Sequence, residues 1–369
     1  MMISKDEFVA AVDLGSSKIV TVVGKKDQSG RLEILALSKT GSKGIIRGTI
    51  HSIGETATAI RLTIDDVQKK SGLKLSEVVV GISDHQICCS RNRGFVNLDS
   101  SKHEIDDYEV KALTNYMYKI RTDPEEEILD ILPQLYSVEN EHDIKNPAGL
   151  KGKNLEGTFY VIMGDALVKQ NIIKCISLAG LKVKKIVLEP LASAEAVLSN
   201  NEKETGVILV DIGAGTTTLV IYENGVVKHV AMIPFGGNQI TIDIMEHLFI
   251  SWSEAEKIKT NYRTFQAKVP TGQKKQLTSV IQARMEEILN CILFEMEKSG
   301  IKEKLHAGMV ITGGGALLKN LSQLIKSRLG MNARVGYPEG IFNKNKEYPI
   351  YYPLFSSSIG LMMRAFENN

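Results

Sequence analysis

Val9-Ala10-Ala11-Val12-Asp13-Leu14-Gly15-Ser16-Ser17-Lys18 ends an apolar run on an aspartate, then turns through glycine and two hydroxyls, and Ile19 to Val23 is apolar again. Strand, tight polar turn and returning strand is the reading, with turn residues from Lys25 to Gly30 before a further strand at Leu32 to Ser38. The device recurs about half a chain later. Val207 to Val210 is the strand, Asp211-Ile212-Gly213-Ala214-Gly215-Thr216-Thr217-Thr218 the turn, and Leu219 to Tyr222 the return. Asn224-Gly225 then closes another hairpin toward Val226 to Met232. An aspartate, an apolar residue and a glycine leading into a small hydroxyl-rich turn, met twice, is an internal repeat. It predicts two related lobes, each opening with the same hairpin.

Glycine in such a turn lets backbone approach a ligand closely, so that successive amide N–H groups can cradle phosphate oxygens. Hydroxyls of Ser16, Ser17, Thr216 and Thr217 add donors, and Lys18 adds a positive charge for terminal phosphates. Asp13 and Asp211 end their strands where they can hold magnesium through waters, because this hard ion keeps much of its hydration shell. One such turn alone reads as an ordinary hairpin. Two facing each other read as a clamp for a metal-bound polyphosphate. A third cluster, Thr312-Gly313-Gly314-Gly315-Ala316-Leu317-Leu318, follows an apolar strand and is expected to enter a helix over Ala316 to Leu329. It has neither P-loop nor dinucleotide spacing, and after two phosphate turns it is the expected adenosine seat.

The remaining chain alternates helical and extended patterns. Helices are expected over His51 to Lys70, Asp106 to Arg121, Lys169 to Ala179, Ile240 to Leu248, Ser253 to Asn261 and Leu277 to Lys298, and strands over Val78 to Gly81 and Gln86 to Ser90. Asp123-Pro124-Glu125-Glu126-Glu127 reads as a helix start. With 369 residues the chain exceeds one compact core. Its 45 basic and 43 acidic residues nearly cancel, which gives no global pull toward nucleic acid. Cys88, Cys89, Cys175 and Cys291 lack zinc spacing and read as free thiols in a reducing cytoplasm. The charged residues Lys5, Asp6 and Glu7 stand where a signal peptide would be apolar, and no run approaches the ~20 apolar residues of a membrane span.

The ordered segments Asp13 to Lys18, Glu189 to Leu198, Asp211 to Thr218, Gly313 to Leu318 and Ser356 to Leu361 resemble the five ATPase motifs of the actin, sugar-kinase and heat-shock-chaperone superfamily. The resemblance implies a two-lobed, ribonuclease H-like α/β fold binding ATP and Mg2+. It places Glu189 at the water-orienting position beside the catalytic Asp211, Asp13 and Asp211 at the metal, and the turns Gly15 to Lys18 and Gly213 to Thr217 at the phosphates. Gly237, Glu256, Lys259, Gly313, Gly314, Gly315 and Leu317 fall on the adenosine side; Glu256 and Lys259, three apart on an expected helix, share a face. Residues 84–165 narrow the resemblance. Ile131-Leu132-Pro133-Gln134-Leu135-Tyr136 and Lys145-Asn146-Pro147-Ala148-Gly149-Leu150-Lys151-Gly152 are similar to the relocated subdomain of the bacterial FtsA cell-division family, and so are Pro234-Phe235-Gly236-Gly237-Asn238 and Ala255-Glu256-Lys257-Ile258-Lys259.

That resemblance implies an ATP-binding adaptor that self-associates into filaments, ties the tubulin-like FtsZ to the membrane and recruits later division proteins. The expected division is a first-lobe core at 1–83, 166–205 and 357–369, the inserted subdomain at 84–165, a second-lobe core at 206–235 and 308–356, and a small second-lobe subdomain at 236–307. Arg284 falls where the FtsZ C-terminal tail docks, and its fork suits carboxylate capture. Two departures stand out. Ala214 replaces a glycine and keeps its N–H for phosphate if its φ is negative; Thr218 stands where relatives often carry aspartate, which implies slow or negligible hydrolysis. The chain ends at Asn369 without the amphipathic membrane helix of the family, read here as a truncation, so membrane contact at the division site is expected only through that segment. A pilus-assembly ATPase of the PilM kind and a small-molecule kinase on the same core are the competing readings; the Lys-Asn-Pro-x-Gly stretch argues against the first, and the lack of a catalytic carboxylate facing a polyol pocket against the second.

Overall fold

The computed structural model describes residues 8–27, 31–98, 104–261, 271–342 and 352–366. The repeated hairpin is the start of a repeated sheet. Strands Phe8–Leu14, Lys18–Lys26 and Leu32–Gly41 form an antiparallel meander, and Glu77–Ile82 and Lys182–Leu188 add in parallel on the other side of Phe8–Leu14. Val207–Ile212, Thr217–Glu223 and Val226–Ile233 repeat the meander, with Met309–Thr312 and Ala333–Val335 added in parallel beside Val207–Ile212. Strand order and direction are the same in both. A short strand, Ile341–Phe342, caps the first sheet next to Leu32–Gly41.

The central strands are buried on both faces, which explains why they read as continuous apolar runs rather than alternating ones. Between the sheets lie two crossing helices, Glu189–Val197 and Ser356–Ala365. Ser356–Ala365 packs on the first sheet, while Glu189–Val197 also touches Val207–Ile212 and Thr217–Glu223 of the second. Their contact is so close that a Cβ at Gly360 would overlap the Ala192 carbonyl oxygen. Asp13 and Asp211 therefore end two central strands on opposite sides of one cleft, the usual place for a ligand in open α/β sheets.

A separate antiparallel sheet, ordered Cys88–Asn97, Asn154–Asp165, Glu126–Val138 and Glu141–Ile144, carries helix Asp107–Met117 on one face and has its own core around Leu113, Met117, Leu155 and Phe159. The second sheet is covered by helices Gly237–Leu248, Thr271–Ser299 and Leu321–Leu329.

Three local expectations are corrected. Asp123 to Glu127 is a turn entering the 13-residue strand Glu126–Val138, not a helix start, because that strand pairs along its length with Asn154–Asp165 and long-range pairing overrides the local cap signal. Pro133 fits there at a register shift, where Gln134 is the extra residue. The strand expected from Gln86 begins instead at Cys88, since Asp84 accepts the Gln86 N–H at 2.9 Å in a tight turn. The helix expected over Ala316 to Leu329 is broken. Gly314–Leu317 is a single 3-10 turn, and Leu321–Leu329 starts after Asn320, which takes a left-handed φ of 64°. All four cysteines are free. Among the described residues no helix is long and apolar enough to cross a membrane.

Candidate functional site

The two turns meet. A Cβ on Gly215 would overlap the Ser16 hydroxyl and stand 3.1 Å from the Arg47 backbone nitrogen. The first turn is held from behind by the Gly48 N–H, which donates to Ser16 Oγ at 3.0 Å. In the second, the Gly213 N–H donates to the Thr216 carbonyl at 2.9 Å. The carbonyls of Gly213 and Ala214 accept the amides of Gly237 and Asn238 at 2.9 and 2.8 Å, which bolts helix Gly237–Leu248 to the turn. Ala214 is not among the residues with positive φ, so the glycine it replaces is not required.

Between the turns lies a cavity of about 260 Å³. Gly15, Ser16, Ser17 and Lys18 line one wall and Gly213, Ala214, Gly215 and Thr216 the other. Gly237, Glu256, Lys259, Gly313, Gly314, Gly315 and Leu317 close the far end, and Asp13, Glu189 and Asp211 form the floor. Thr217 is the exception. Its side chain is fully buried, and its hydroxyl donates to the Phe235 carbonyl at 3.0 Å. Side chains alternate along strand Thr217–Glu223, so Thr216 and Thr218 reach the cleft while Thr217 pins the turn from the opposite face. The donor role expected of Thr217 is corrected accordingly.

Three carboxylates share this floor with one lysine. Asp13 is pushed up to about 6, chiefly by burial, with Lys18 opposing and Asp211 adding to the rise. Glu189 is raised well above the usual carboxylate range by burial and then by the Asp13 charge, against a hydrogen bond from Ser83. Burial also raises Asp211, opposed by Ser193 and Ser357, whose hydroxyls donate to its Oδ2 at 2.7 and 3.1 Å. Glu189 Oε1 is buried without a hydrogen-bond partner in the protein. Excess buried negative charge and an orphaned acceptor suit a divalent cation with its water shell. Among the described residues no group of three acidic, histidine or cysteine side chains is placed to ligate a metal on its own.

Glu256 and Lys259 do face one another. Lys259 Nζ lies 2.7 Å from Glu256 Oε2 and donates to the Gly237 carbonyl at 2.9 Å and to Thr241 Oγ1 at 2.8 Å, while Thr241 donates to Glu256 at 2.6 Å. Arg284 lies outside the cleft on helix Thr271–Ser299, engaged by Asp243 and Glu287. Ser83, Ser193 and Ser357 are contributors that the motifs did not single out. Ser193 and Ser357 fall within motif segments, but only the folded chain brings both onto Asp211.

The family model for cell division protein FtsA matches residues 208–360, and that for the SHS2 domain inserted in FtsA matches residues 85–163. The cell division protein FtsA of Neisseria meningitidis is 31% identical over 99% of this chain and 91% of its own length. The chain belongs to the FtsA family. Solved structures agree with an actin-like fold for this FtsA-family chain. The PilM-PilN type IV pilus biogenesis complex matches with a TM-score of 0.68 at 17% identity, covering 98% of this chain and 99% of the other. MreB5 of Spiroplasma citri bound to ADP matches with a TM-score of 0.53 at 12% identity, covering 99% and 97%. At such identities these two likenesses establish the fold alone.

Proposed function

We propose that the chain binds magnesium–ATP between the two turns and works as a nucleotide-dependent division adaptor that self-associates and captures the FtsZ tail. The observation that carries the nucleotide reading is the contact of Gly215 with Ser16, which brings two sets of amides and hydroxyls onto one cavity. In this reading the amides and hydroxyls of Gly15 to Lys18 and Ala214 to Thr216 receive the phosphates, Gly213 shapes the turn through its own N–H bond to Thr216, and Lys18 balances the charge. Asp13 and Asp211 would hold magnesium through waters, and Glu189, with its unpaired oxygen, would orient the attacking water. Gly313 to Gly315, Leu317, Glu256 and Lys259 would seat the adenosine. The bound ion would neutralise developing phosphate charge. Thr218 lines the cleft without a second base, which supports slow turnover.

Residues 84–165 are proposed as the face for filament and later-division-protein contacts, and 236–307 as the part that receives the FtsZ tail. Membrane attachment and position at the division site follow from the family only as part of this proposal. Calorimetric titration with magnesium–ATP should give saturable binding, and Lys18→Ala should weaken it at least about tenfold, roughly 1.4 kcal/mol. No heat from the wild type would remove the nucleotide reading. For the tail, Arg284→Glu should reduce binding of an FtsZ C-terminal peptide by about two orders of magnitude, since a charge-assisted pair becomes a repulsion. Unchanged affinity would take Arg284 out of the site.

A further inference from the structure

Arg284 is held by two acids in unequal ways. Asp243, on helix Gly237–Leu248, takes it side-on at two points, Nε to Oδ2 at 2.7 Å and Nη2 to Oδ1 at 2.9 Å, and its side chain is only 17% exposed. Glu287, one turn along the same helix as Arg284, makes a single contact with Nη1 and is 60% exposed. The charge of Glu246 lies nearby as well. Three carboxylates act on this one guanidinium, two of them in direct contact, so an incoming acid must displace a resident one rather than join it.

We propose that Glu287 is a built-in stand-in for the partner's carboxylate on Arg284, and that Asp243 is the fixed support that aims the guanidinium. This rests on the reading of Arg284 as the tail-docking residue. A guanidinium offers five N–H groups on separate edges. The two-point Asp243 contact fills the side-on edge formed by Nε and Nη2. The end-on edge, Nη1 with Nη2, becomes available to a two-point carboxylate once the Glu287 oxygen leaves Nη1. An exposed one-point pair is worth little and yields readily, whereas a two-point, partly buried pair stays.

The surface around it defines the occupant. Arg284, Glu287, Cys291 and Phe294 fall on one helical face, and Phe294 is 62% exposed about 15 Å along the axis from Arg284. An acidic tail with an apolar side chain a few extended residues from its carboxylate matches both ends of that stripe. Asp243 also ties this site to the cleft, because the same short helix begins at Gly237, whose N–H is bonded to the Gly213 carbonyl of the second turn.

The test is fluorescence anisotropy of a labelled FtsZ C-terminal tail peptide on the intact chain at two salt concentrations. Glu287→Gln should bind about threefold to fivefold tighter than wild type at both salts, the size of an exposed pair removed from competition. Glu246→Gln, which deletes a charge without touching Arg284, should give a smaller gain that vanishes at high salt. Asp243→Asn should weaken binding about tenfold by letting the guanidinium swing, with its melting temperature checking that it is folded. If wild type binds and Arg284→Glu does not, yet Glu287→Gln binds no tighter than wild type, the stand-in is wrong while the docking site stands. If Glu287→Gln and Glu246→Gln gain equally and lose the gain together in salt, the effect is field alone and the proposal fails. Equal binding by wild type and Arg284→Glu, or none by either, overturns the docking reading and this inference with it.

Discussion

Gly215→Ala is expected to lose about two orders of magnitude in magnesium–ATP affinity while remaining folded. The added Cβ would occupy the space of the Ser16 hydroxyl and crowd the Arg47 amide, so the two turns must separate. Gly215 does not carry a positive φ, so the penalty is spatial and not conformational. Separation by on the order of 1 Å removes one or two of the hydrogen bonds that a phosphate needs from both walls at once. Each is worth about 1.5–3 kcal/mol when the acceptor is charged. Neither Ser16 nor Gly215 belongs to either hydrophobic core, so the melting temperature without nucleotide should shift little. Gly54→Ala is the control, because its Cβ would meet nothing within 4 Å. Calorimetric titration of both variants measures the effect. Affinity of Gly215→Ala within about threefold of wild type, less than 1 kcal/mol, would mean that the walls do not act together.

The duplicated sheet was legible because its central strands are buried on both faces and their apolar runs end abruptly on an aspartate and a glycine. That abruptness is also why the two turns themselves could be read. What stayed hidden depended on the third dimension. Ser193 and Ser357 are separated by 164 positions and meet 3.1 Å apart only because two helices cross at Gly360. Thr217 was misassigned for a different reason. It belongs to the returning strand, whose alternation turns every second hydroxyl away from the cleft. At Asp123 to Glu127 the local signal was genuine but outweighed by a long antiparallel ladder. Arg284 was named only through the family resemblance, and its principal partner Asp243, 41 positions away, left no trace in the surrounding motif.

Asp13→Asn should make the nucleotide-free protein more stable at neutral pH and at the same time remove most of its stabilisation by magnesium–ATP. In the folded state the Asp13 carboxyl titrates near 6 instead of 3.8, because it is buried and shares the floor with Asp211. A shift of that size corresponds to about 3 kcal/mol against folding when the group is ionised. The folded state holds the proton more tightly than the unfolded chain, so below pH 3.8 no penalty exists. Stability then falls as pH rises from 3.8 to about 6, and the full cost persists above that. Asparagine keeps the shape and carries no charge, and it also relieves Glu189, whose own rise owes part to Asp13. Thermal melts without nucleotide should therefore coincide below about pH 4 and separate by several degrees in favour of the variant above pH 6. With saturating magnesium–ATP the order should reverse, because a ligand stabilises only the state that binds it, and the variant has lost one of the two carboxylates proposed to hold the hydrated ion. A variant that melts at or below the wild type at pH 7.5 without nucleotide would mean that the floor carries no excess charge, and with it would go the main electrostatic reason for a cation between these turns.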